Sequence, residues 1–384
     1  MKRFLKLLKR MTIIISSLIL LFTCTIFLVL KFNPRFGGTL STEQKEIYIS
    51  SQNFKDGKFI NKDKLKVSPE ITFSGFIQGL GSLFSSDSTS QISKPKRDIK
   101  IQHIDGPDIL TVKDSTRLVW FGHSTFLLQL ENKNILIDPM FGQVPSPFSW
   151  AGGKRFSTEL PIEIEKLPAI EAVLISHDHY DHLDYGSILK LKNKVKMFYT
   201  PLGLGIHLEK WGVKKENIVE LDWWGEATLD NLTFRCTPAQ HASGRKPGAM
   251  SNTLWSSWII NTENMNIFFS GDGGYAEHFK EIGEKFGPFD FAMLECGQYN
   301  KMWPLLHMFP EQTAQAGLDI KAKQIMPIHW GAFRLSNHKW DEPVERLLTA
   351  AKKLNIPVVV PKIGEPILIE PTISYSNESW WENY

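Results

Sequence analysis

From about residue 117 onward, short apolar runs alternate with polar turns, which is the pattern of a domain rich in β-strands. Stretches typical of helices separate several of these runs, at residues 201–211, 276–286, 310–320 and 343–354. Pro310 and Pro343 suit the first turns of two of these helices. Sheets flanked by helices bury both faces, so we predict an α/β fold with two sheets covered by helices. The predicted strands are RLVWFGHSTFLLQLE, NILIDPMF, EAVLIS, KMFYT, NIVEL, LTFRCTPAQH, SSWIINT, MNIFFSGD, FDFAMLECG, KQIMPIHWG, PVVVP and PILIE.

A different pattern opens the chain. Residues 11–30 read MTIIISSLILLFTCTIFLVL and contain no charged side chain. Twenty such residues in a helix span about 30 Å, the thickness of the hydrocarbon core of a bilayer. Residues 1–10 carry five Lys and Arg and no acid, so the positive-inside rule places them in the cytoplasm. A cleaved signal peptide is the alternative, but Lys31-Phe32-Asn33-Pro34 is a poor cleavage site.

The chain is therefore predicted to have four parts. Residues 1–10 form a basic cytoplasmic tail, 11–30 a transmembrane anchor, 31–100 an extension and connecting segment, and 101–384 a globular domain. Within the connecting segment, residues 71–84 are apolar with interspersed Gly and Ser. They predict a helix that packs on the domain or, alternatively, lies at the membrane interface. This order describes a single-pass membrane protein whose globular domain lies on the non-cytoplasmic side, provided that the anchor is retained.

Charge and cysteine content exclude some function classes. The chain has 44 basic and 41 acidic residues, and its basic excess is confined to the first ten positions. A nucleic-acid-binding protein usually shows a strong basic excess, so no nucleic-acid partner is expected. Cys24, Cys236 and Cys296 are too few and too scattered for a disulfide framework or a cysteine-based zinc finger.

Residue types that ligate metals follow the predicted strand EAVLIS. His177, His179, Asp181 and His182 fall within six positions. So many polar side chains would be costly to bury without partners. On a loop, His177 and His179 can face one ion, while Asp181 and His182 face a second. Imidazole with carboxylate suits zinc and the neighbouring metals, and the alternative is an exposed histidine-rich loop.

Three further candidate ligands come from distant parts of the chain. His241, Asp272 and His329 each follow an apolar run, so we expect them on loops at one edge of the sheets. Asp272 can offer one oxygen to each of two ions and so bridge them. Taken singly, either histidine would more often be an ordinary one, but their joint placement after strands predicts a metal site.

These motifs resemble those of the metallo-β-lactamase superfamily, whose HxHxDH signature matches His177 to His182. Ile137-Asp138-Pro139 and the later ligands match as well, over about residues 117–370. The resemblance implies a four-layer αβ/βα sandwich with a two-zinc site at one edge. It assigns one zinc to His177, His179 and His241, the other to Asp181, His182 and His329, and the bridging position to Asp272.

Within the superfamily, the chain is most similar to the N-acyl-phosphatidylethanolamine phospholipase D branch and its bacterial relatives. The stretches WFGHST, LDWW, PAQH, GDGGY, HMFPE and HWGAF carry this similarity, with residues 53–59. A sugar-lactonase group shares much of the signature. The branch implies that a hydroxide held by two zinc ions attacks phosphorus and releases phosphatidic acid and an N-acylethanolamine.

The resemblance also suggests roles around the metals. Asp181 and His307 are the predicted catalytic residues. For His307 the reason is that the resembling phospholipases have a site histidine at this motif. His307 would contact the scissile group or protonate the leaving oxygen, and the alternative is a packing histidine. His123 and Asp138 are expected to support the ligands from behind. The remaining histidines, His103, His207, His278 and His338, are expected to be surface or packing residues.

Other functions remain open at this point. A lactonase, or a phosphodiesterase that acts on a soluble substrate, is the alternative enzyme. A membrane-tethered binding protein without catalysis is an alternative from another class, although decayed sites usually lose ligands and this set is complete. The anchor and the many aromatic residues favour a phospholipid substrate. The sequence leaves open the acyl-chain preference, the metal loaded in the cell, and the oligomeric state, a homodimer included.

Overall fold

The structure is a computed structural model that describes residues 1–62, 92–104, 115–370, 375 and 377–384. The predicted helix at residues 71–84 lies outside the described residues. The helices are α1 (Lys2–Phe32), α2 (Thr42–Tyr48), α3 (Tyr185–Leu191), α4 (Gly205–Lys210), α5 (His278–Phe286), α6 (Pro310–Asp319) and α7 (Glu342–Leu354). The strands are β1 (Phe54–Lys55), β2 (Lys58–Phe59), β3 (Thr116–Trp120), β4 (Phe126–Leu130), β5 (Lys133–Ile137), β6 (Ile170–Leu174), β7 (Val195–Pro201), β8 (Ile218–Leu221), β9 (Glu226–Leu229), β10 (Leu232–Thr237), β11 (Ser257–Asn261), β12 (Asn266–Phe269), β13 (Phe291–Glu295), β14 (Ile325–Ile328) and β15 (Pro366–Ile369).

Two mixed sheets form the centre of the domain. One has seven strands in the order β15-β3-β4-β5-β6-β7-β8, and the other has six in the order β14-β13-β12-β11-β10-β9. Strands β5 to β8 pair in parallel, as do β12 to β14, and the remaining pairs in the two sheets are antiparallel. Parallel neighbours need a crossover connection, and α3, α4, α5 and α6 lie in four of these connections.

The two sheets pack face to face, and helices cover their outer faces. Strand β13 illustrates how the sequence produces these layers. Phe291 and Met293 belong to the core between the sheets, whereas Ala292 and Leu294 pack with residues of the outer helices. Alternate side chains of a strand point to opposite faces, so a continuous apolar run serves both layers. The four-layer αβ/βα sandwich expected from the resemblance is confirmed.

Individual elements follow the sequence pattern closely. Every predicted strand run contains a strand except residues 357–361, where Val358 makes only an isolated bridge to Ile325. Pro357 and Pro361 flank that run, and proline cannot donate a hydrogen bond to a strand ladder. Helices α4 to α6 fall within three of the predicted stretches, and α7 begins one residue before the fourth. Strand β9 and helices α2 and α3 were not predicted. Strand β9 is a short edge strand with little buried surface, and α2 and α3 are only seven residues long.

The N-terminal part divides into an isolated helix and a segment that packs on the domain. Helix α1 is 31 residues long with no buried residue, and it is long and apolar enough to cross a membrane. After it, Tyr48, Phe54 and Phe59 join the core between the sheets. The Tyr48 hydroxyl donates to Glu220 at 2.7 Å. Residues 33–62 are therefore part of the packed domain rather than a free linker, while the four-part division of the chain stays a prediction.

Candidate metal centre

All seven predicted ligands lie in one cluster at the edge of the sandwich. The loop from His177 to His182 follows β6, His241 follows β10, Asp272 follows β12 and His329 follows β14 directly. Each of the seven side chains is buried except that of His179, which is half-buried. These residues were selected from the sequence because each follows a buried strand. In the structure the ends of these strands meet at one edge, so the side chains lie together.

The first group consists of three imidazoles. His177 Nε2 lies 2.9 Å from His179 Nδ1, and His241 Nε2 lies 3.2 Å from the same nitrogen. His179 Nδ1 is thus shared by the two neighbouring imidazole nitrogens, as it would be around a single ion. Nitrogens bound to one tetrahedral zinc at about 2.0 Å lie about 3.3 Å apart. The group is therefore close to the geometry that one zinc-sized ion requires.

The second group combines imidazole with carboxylate. Asp272 Oδ2 lies 3.1 Å from His182 Nε2 and 3.0 Å from His329 Nε2, and His329 Nε2 lies 3.1 Å from Asp181 Oδ2. Among the described residues, the buried atoms His182 Nε2 and Asp272 Oδ1 have no hydrogen-bond partner. Buried polar atoms are rarely left unpaired, and a bound cation would satisfy both atoms.

One carboxylate stands between the two groups. Asp272 Oδ2 lies 3.9 Å from His177 Nε2 and 4.0 Å from His241 Nε2, and it also contacts the second group as described above. This is the arrangement expected of the bridging ligand that the sequence assigned to Asp272.

The electrostatics of the cluster favour bound cations. Burial acts to raise the pKa values of Asp181 and Asp272, but His182 and the other imidazoles hold both well below the usual range. Burial acts to lower the pKa of His329, yet the Asp272 and Asp181 carboxylates raise it to about 10. Burial and the neighbouring imidazoles hold the pKa of His177 well below its usual value. Two ionised carboxylates thus face basic ring nitrogens in a buried site, which is a suitable environment for divalent ions.

Asp138 and His123 lie behind the ligands, where the sequence predicted them. Asp138 accepts hydrogen bonds from Ser176 N at 2.7 Å and from His182 Nδ1 at 2.7 Å. This contact fixes the hydrogen of His182 on Nδ1 and leaves Nε2 free for a metal. His123 Nε2 lies 2.8 Å from Asp181 Oδ2 and orients that carboxylate.

The backbone of this part of the site is strained. His123, Asp138 and His329 have φ angles of 57°, 40° and 66°, in the left-handed region that side chains disfavour. Hydrogen bonds hold two of them in place, from His123 N to Trp330 O and from His329 N to His123 O, each at 3.0 Å. Such strain concentrates at functional sites, where the surrounding structure enforces it.

Sequence reasoning missed a buried carboxylate that contacts two histidines of the site. Glu295 is the last residue of β13 and is fully buried. Its Oε1 lies 3.3 Å from His307 Nδ1 and 3.5 Å from His329 Nδ1, and its Oε2 accepts a hydrogen bond from Met308 N at 2.7 Å. The signal was present, because Glu295 ends an apolar run in the same way as the histidines and Asp272 do.

Two contacts from distant segments were not detectable from the sequence. Asn61 donates to His241 O at 2.9 Å and accepts from His241 N at 3.1 Å, so it clamps the backbone of a predicted ligand. His207 is buried and its Nε2 lies 3.3 Å from Asp178 Oδ2. The expectation of a packing residue for His207 thus holds, with a further contact to the metal-ligand loop.

A cavity of about 140 Å³ opens over the cluster. Four of the seven ligands line it together with His307, Trp303 and Leu335. The His307 ring stacks at 5.1 Å from the His329 ring with an interplanar angle of 15°. A larger groove of about 410 Å³ lies between the outer helices α6 and α7, away from the ligands. The smaller cavity is therefore the candidate substrate site.

Comparisons with known proteins agree with this geometry. Residues 133–330 match the beta-lactamase superfamily domain. An uncharacterized protein of Mycobacterium tuberculosis is 40% identical over 338 residues, which cover 86% of this chain and 87% of that protein. The N-acyl-phosphatidylethanolamine-hydrolyzing phospholipase D 1 of Caenorhabditis elegans is 34% identical over 243 residues, covering 59% and 67% of the two chains. A possible metal-dependent hydrolase from Veillonella parvula shares the fold with a TM-score of 0.53 and 17% identity, covering 66% of this chain and 99% of that one.

Proposed function

The chain belongs to the metallo-β-lactamase superfamily of metal-dependent hydrolases, and we propose that it is a two-zinc phosphodiesterase of the phospholipase D type. Its substrate in this proposal is N-acyl-phosphatidylethanolamine. The observation that carries the proposal is the convergence of seven ligating side chains into two groups that share Asp272. The similarity to the Caenorhabditis elegans phospholipase supports the choice of substrate.

The residues of the two groups fit a pair of zinc ions. Imidazole nitrogens and carboxylate oxygens are donors that zinc and its neighbours prefer. Two such ions, when bound, would polarise a phosphoryl oxygen and lower the pKa of water enough to supply hydroxide near neutral pH. A phosphodiester is anionic and resists hydroxide, so this neutralisation of charge is what the substrate needs.

A residue of the chain would then protonate the leaving group. Hydrolysis forms a bond from a water oxygen to phosphorus and breaks the bond from phosphorus to the ethanolamine oxygen, which must take up a proton. In this proposal His307 donates that proton from Nε2, and the Glu295 carboxylate supports this role because its Oε1 lies 3.3 Å from His307 Nδ1. A proton donor in such a position typically contributes about 10²- to 10⁴-fold to the rate.

The size of the cavity agrees with a substrate whose bulk stays outside. Pockets that enclose a whole drug-sized ligand usually measure about 300–1,000 Å³, whereas the cavity over the ligands measures about 140 Å³. The phosphate and its immediate neighbours would enter, while the acyl chains would remain in a membrane. In this proposal α1 is a retained single-pass anchor, residues 1–10 are cytoplasmic, and the catalytic domain lies on the opposite side of the membrane.

Metal analysis combined with a substrate panel tests the proposal. The purified full chain should contain about two zinc ions. It should convert N-acyl-phosphatidylethanolamine into equal amounts of phosphatidic acid and N-acylethanolamine, identified by mass spectrometry. Bis-p-nitrophenyl phosphate and a set of lactones complete the panel. Lactone turnover without lipid cleavage would establish a lactonase instead. Full metal content without hydrolysis of any substrate would identify a binding protein.

A further inference from the structure

We propose that the exposed aromatic loop at residues 144–150 inserts into the membrane interface beside α1. The rim of the metal site would then stand at the bilayer surface, and the enzyme would take its phospholipid from the leaflet into which the loop inserts. This inference rests on the proposed function in one respect, because it treats α1 as a retained membrane helix.

A row of aromatic rings runs outward from the core into the loop. Phe36 is buried, and its ring lies 6.0 Å from the ring of the half-buried Phe148. Phe148 in turn stacks on Trp150 at 5.3 Å with an interplanar angle of 23°. Trp150 is 83% exposed. An indole combines a large apolar surface with one polar N–H group, so it is well suited to the boundary between lipid and water.

Direct contacts tie this loop to the end of the anchor. Helix α1 ends at Phe32, and Arg35 follows three residues later, at most about 11 Å away. The Arg35 guanidinium donates to Pro147 O at 3.2 Å. Just before it, Pro34 O accepts a hydrogen bond from the Trp211 indole at 2.7 Å. The segment that leaves the membrane is therefore fastened both to the aromatic loop and to the domain.

The same segment is fastened to the metal-ligand loop by one buried side chain. Arg245 donates from Nε and Nη2 to Arg35 O at 3.1 and 2.9 Å. Its Nη1 donates to Asp178 O at 2.6 Å, and its guanidinium lies 4.1 Å from the centre of the Tyr180 ring. Asp178 and Tyr180 alternate with the ligands His177, His179 and Asp181. A single guanidinium thus links the segment after α1 to the loop that carries the predicted ligands. This link limits how far the site can move from the membrane.

The chain just after the aromatic loop packs at the rim of the cavity. A Cβ atom placed on Gly153 would lie only 3.2 Å from Arg334 O, so the chain after the loop packs against the residue before Leu335. Leu335 lines the cavity and is 39% exposed, and Met302, next to Trp303 of the lining, is 65% exposed. The chain that follows the aromatic loop therefore packs beside the cavity rim, and in this proposal the exposed apolar side chains of the rim meet the acyl chains of the substrate.

Spin labelling of the full chain in phospholipid vesicles tests the docking directly. A Cys24→Ser background leaves only the buried Cys236 and Cys296, so one introduced cysteine can be labelled. Trp150→Cys is the test position. Asn231→Cys is the control, because Asn231 is exposed in the β9–β10 turn, at the opposite end of β10 from His241.

Power saturation then compares collisions with lipid-soluble oxygen and with a water-soluble nickel chelate. We expect the label at position 150 to favour oxygen and the label at position 231 to favour nickel. Equal access of nickel to both labels would overturn the proposal. Shielding of position 150 from both reagents would mean that a protein covers the loop, and would overturn it as well.

Kinetics separate docking from chemistry. Trp150→Ser should lower the ratio of turnover on vesicle phospholipid to turnover on bis-p-nitrophenyl phosphate about tenfold, since it removes a large apolar contact with the bilayer. Asn231→Ser should leave this ratio unchanged. An unchanged ratio for Trp150→Ser would refute the coupling of the loop to substrate supply. An immersed label in a protein that cleaves no lipid would contradict the proposed substrate and support the docking.

Discussion

Replacement of Glu295 by glutamine should weaken both the metal centre and the proposed acid. One oxygen, Oε1, faces His307 Nδ1 at 3.3 Å and His329 Nδ1 at 3.5 Å, while Oε2 accepts from Met308 N at 2.7 Å. An amide has one oxygen and one NH₂ group. Whichever way it is turned, a donor therefore faces a donor, either at the two imidazoles or at the Met308 amide.

The magnitude follows from what the carboxylate does for His329. A carboxylate 3.5 Å from Nδ1 favours a hydrogen on that nitrogen and so directs Nε2 to the metal, and loss of such a partner typically costs about 10- to 100-fold in metal affinity. That corresponds to about 1.4–2.7 kcal/mol. We expect the zinc affinity of Glu295→Gln to fall by this amount, and kcat on bis-p-nitrophenyl phosphate to fall as well because His307 loses its orientation.

Competition between the protein and a chelator of known affinity measures the loss. Glu220→Gln provides the control, because Glu220 is a partly buried carboxylate that accepts from the Tyr48 hydroxyl and from Gly205 N, each at 2.7 Å, away from the ligands. Its zinc affinity should equal that of the unmodified chain. Unchanged affinity in Glu295→Gln, or an equal loss in both variants, would refute the reasoning.

Four further predictions concern separate parts of the molecule. Asn61→Ala should reduce zinc affinity, measured by the same competition, because it frees the backbone of His241; normal affinity would show that the clamp is dispensable. His307→Ala should lower kcat about 100-fold with full zinc content by elemental analysis, whereas loss of zinc would make His307 a ligand. Removal of zinc with a chelator should lower the melting temperature, because ions that bind only the folded state stabilise it; an unchanged temperature would contradict this. Burial lowers the pKa of His278 to about 3 from 6.5, so stability falls as pH drops below 6.5, by about 2 kcal/mol at pH 5; denaturant unfolding of His278→Gln should lack this part of the loss.

The sequence predicted those parts of the fold and site that depend on local pattern. Buried strands are continuous apolar runs, so β12 and β14 and the ligands that follow them, Asp272 and His329, could be located without coordinates. Glu295 obeys the same rule and was missed only because glutamate is a less distinctive metal-site residue than histidine. Residues 357–361 were wrongly predicted to be a strand, since flanking prolines outweighed three valines.

Contacts between distant segments could not be predicted in this way. Asn61 lies 180 positions before His241, and nothing in its surroundings distinguishes it from any other asparagine in a loop. The link from Arg35 through Arg245 to Asp178 likewise depends on how the segment after α1 lies across the domain. Such contacts depend on tertiary packing. The periodicity of one segment and the type of one residue do not predict them.

Anomalous diffraction at the zinc absorption edge, from crystals of the zinc-loaded full chain, tests the central claim most directly. We predict two peaks, one among His177, His179 and His241 and one among Asp181, His182 and His329, with Asp272 between them. A single peak, or peaks away from these side chains, would contradict the assignment of a two-metal hydrolase site.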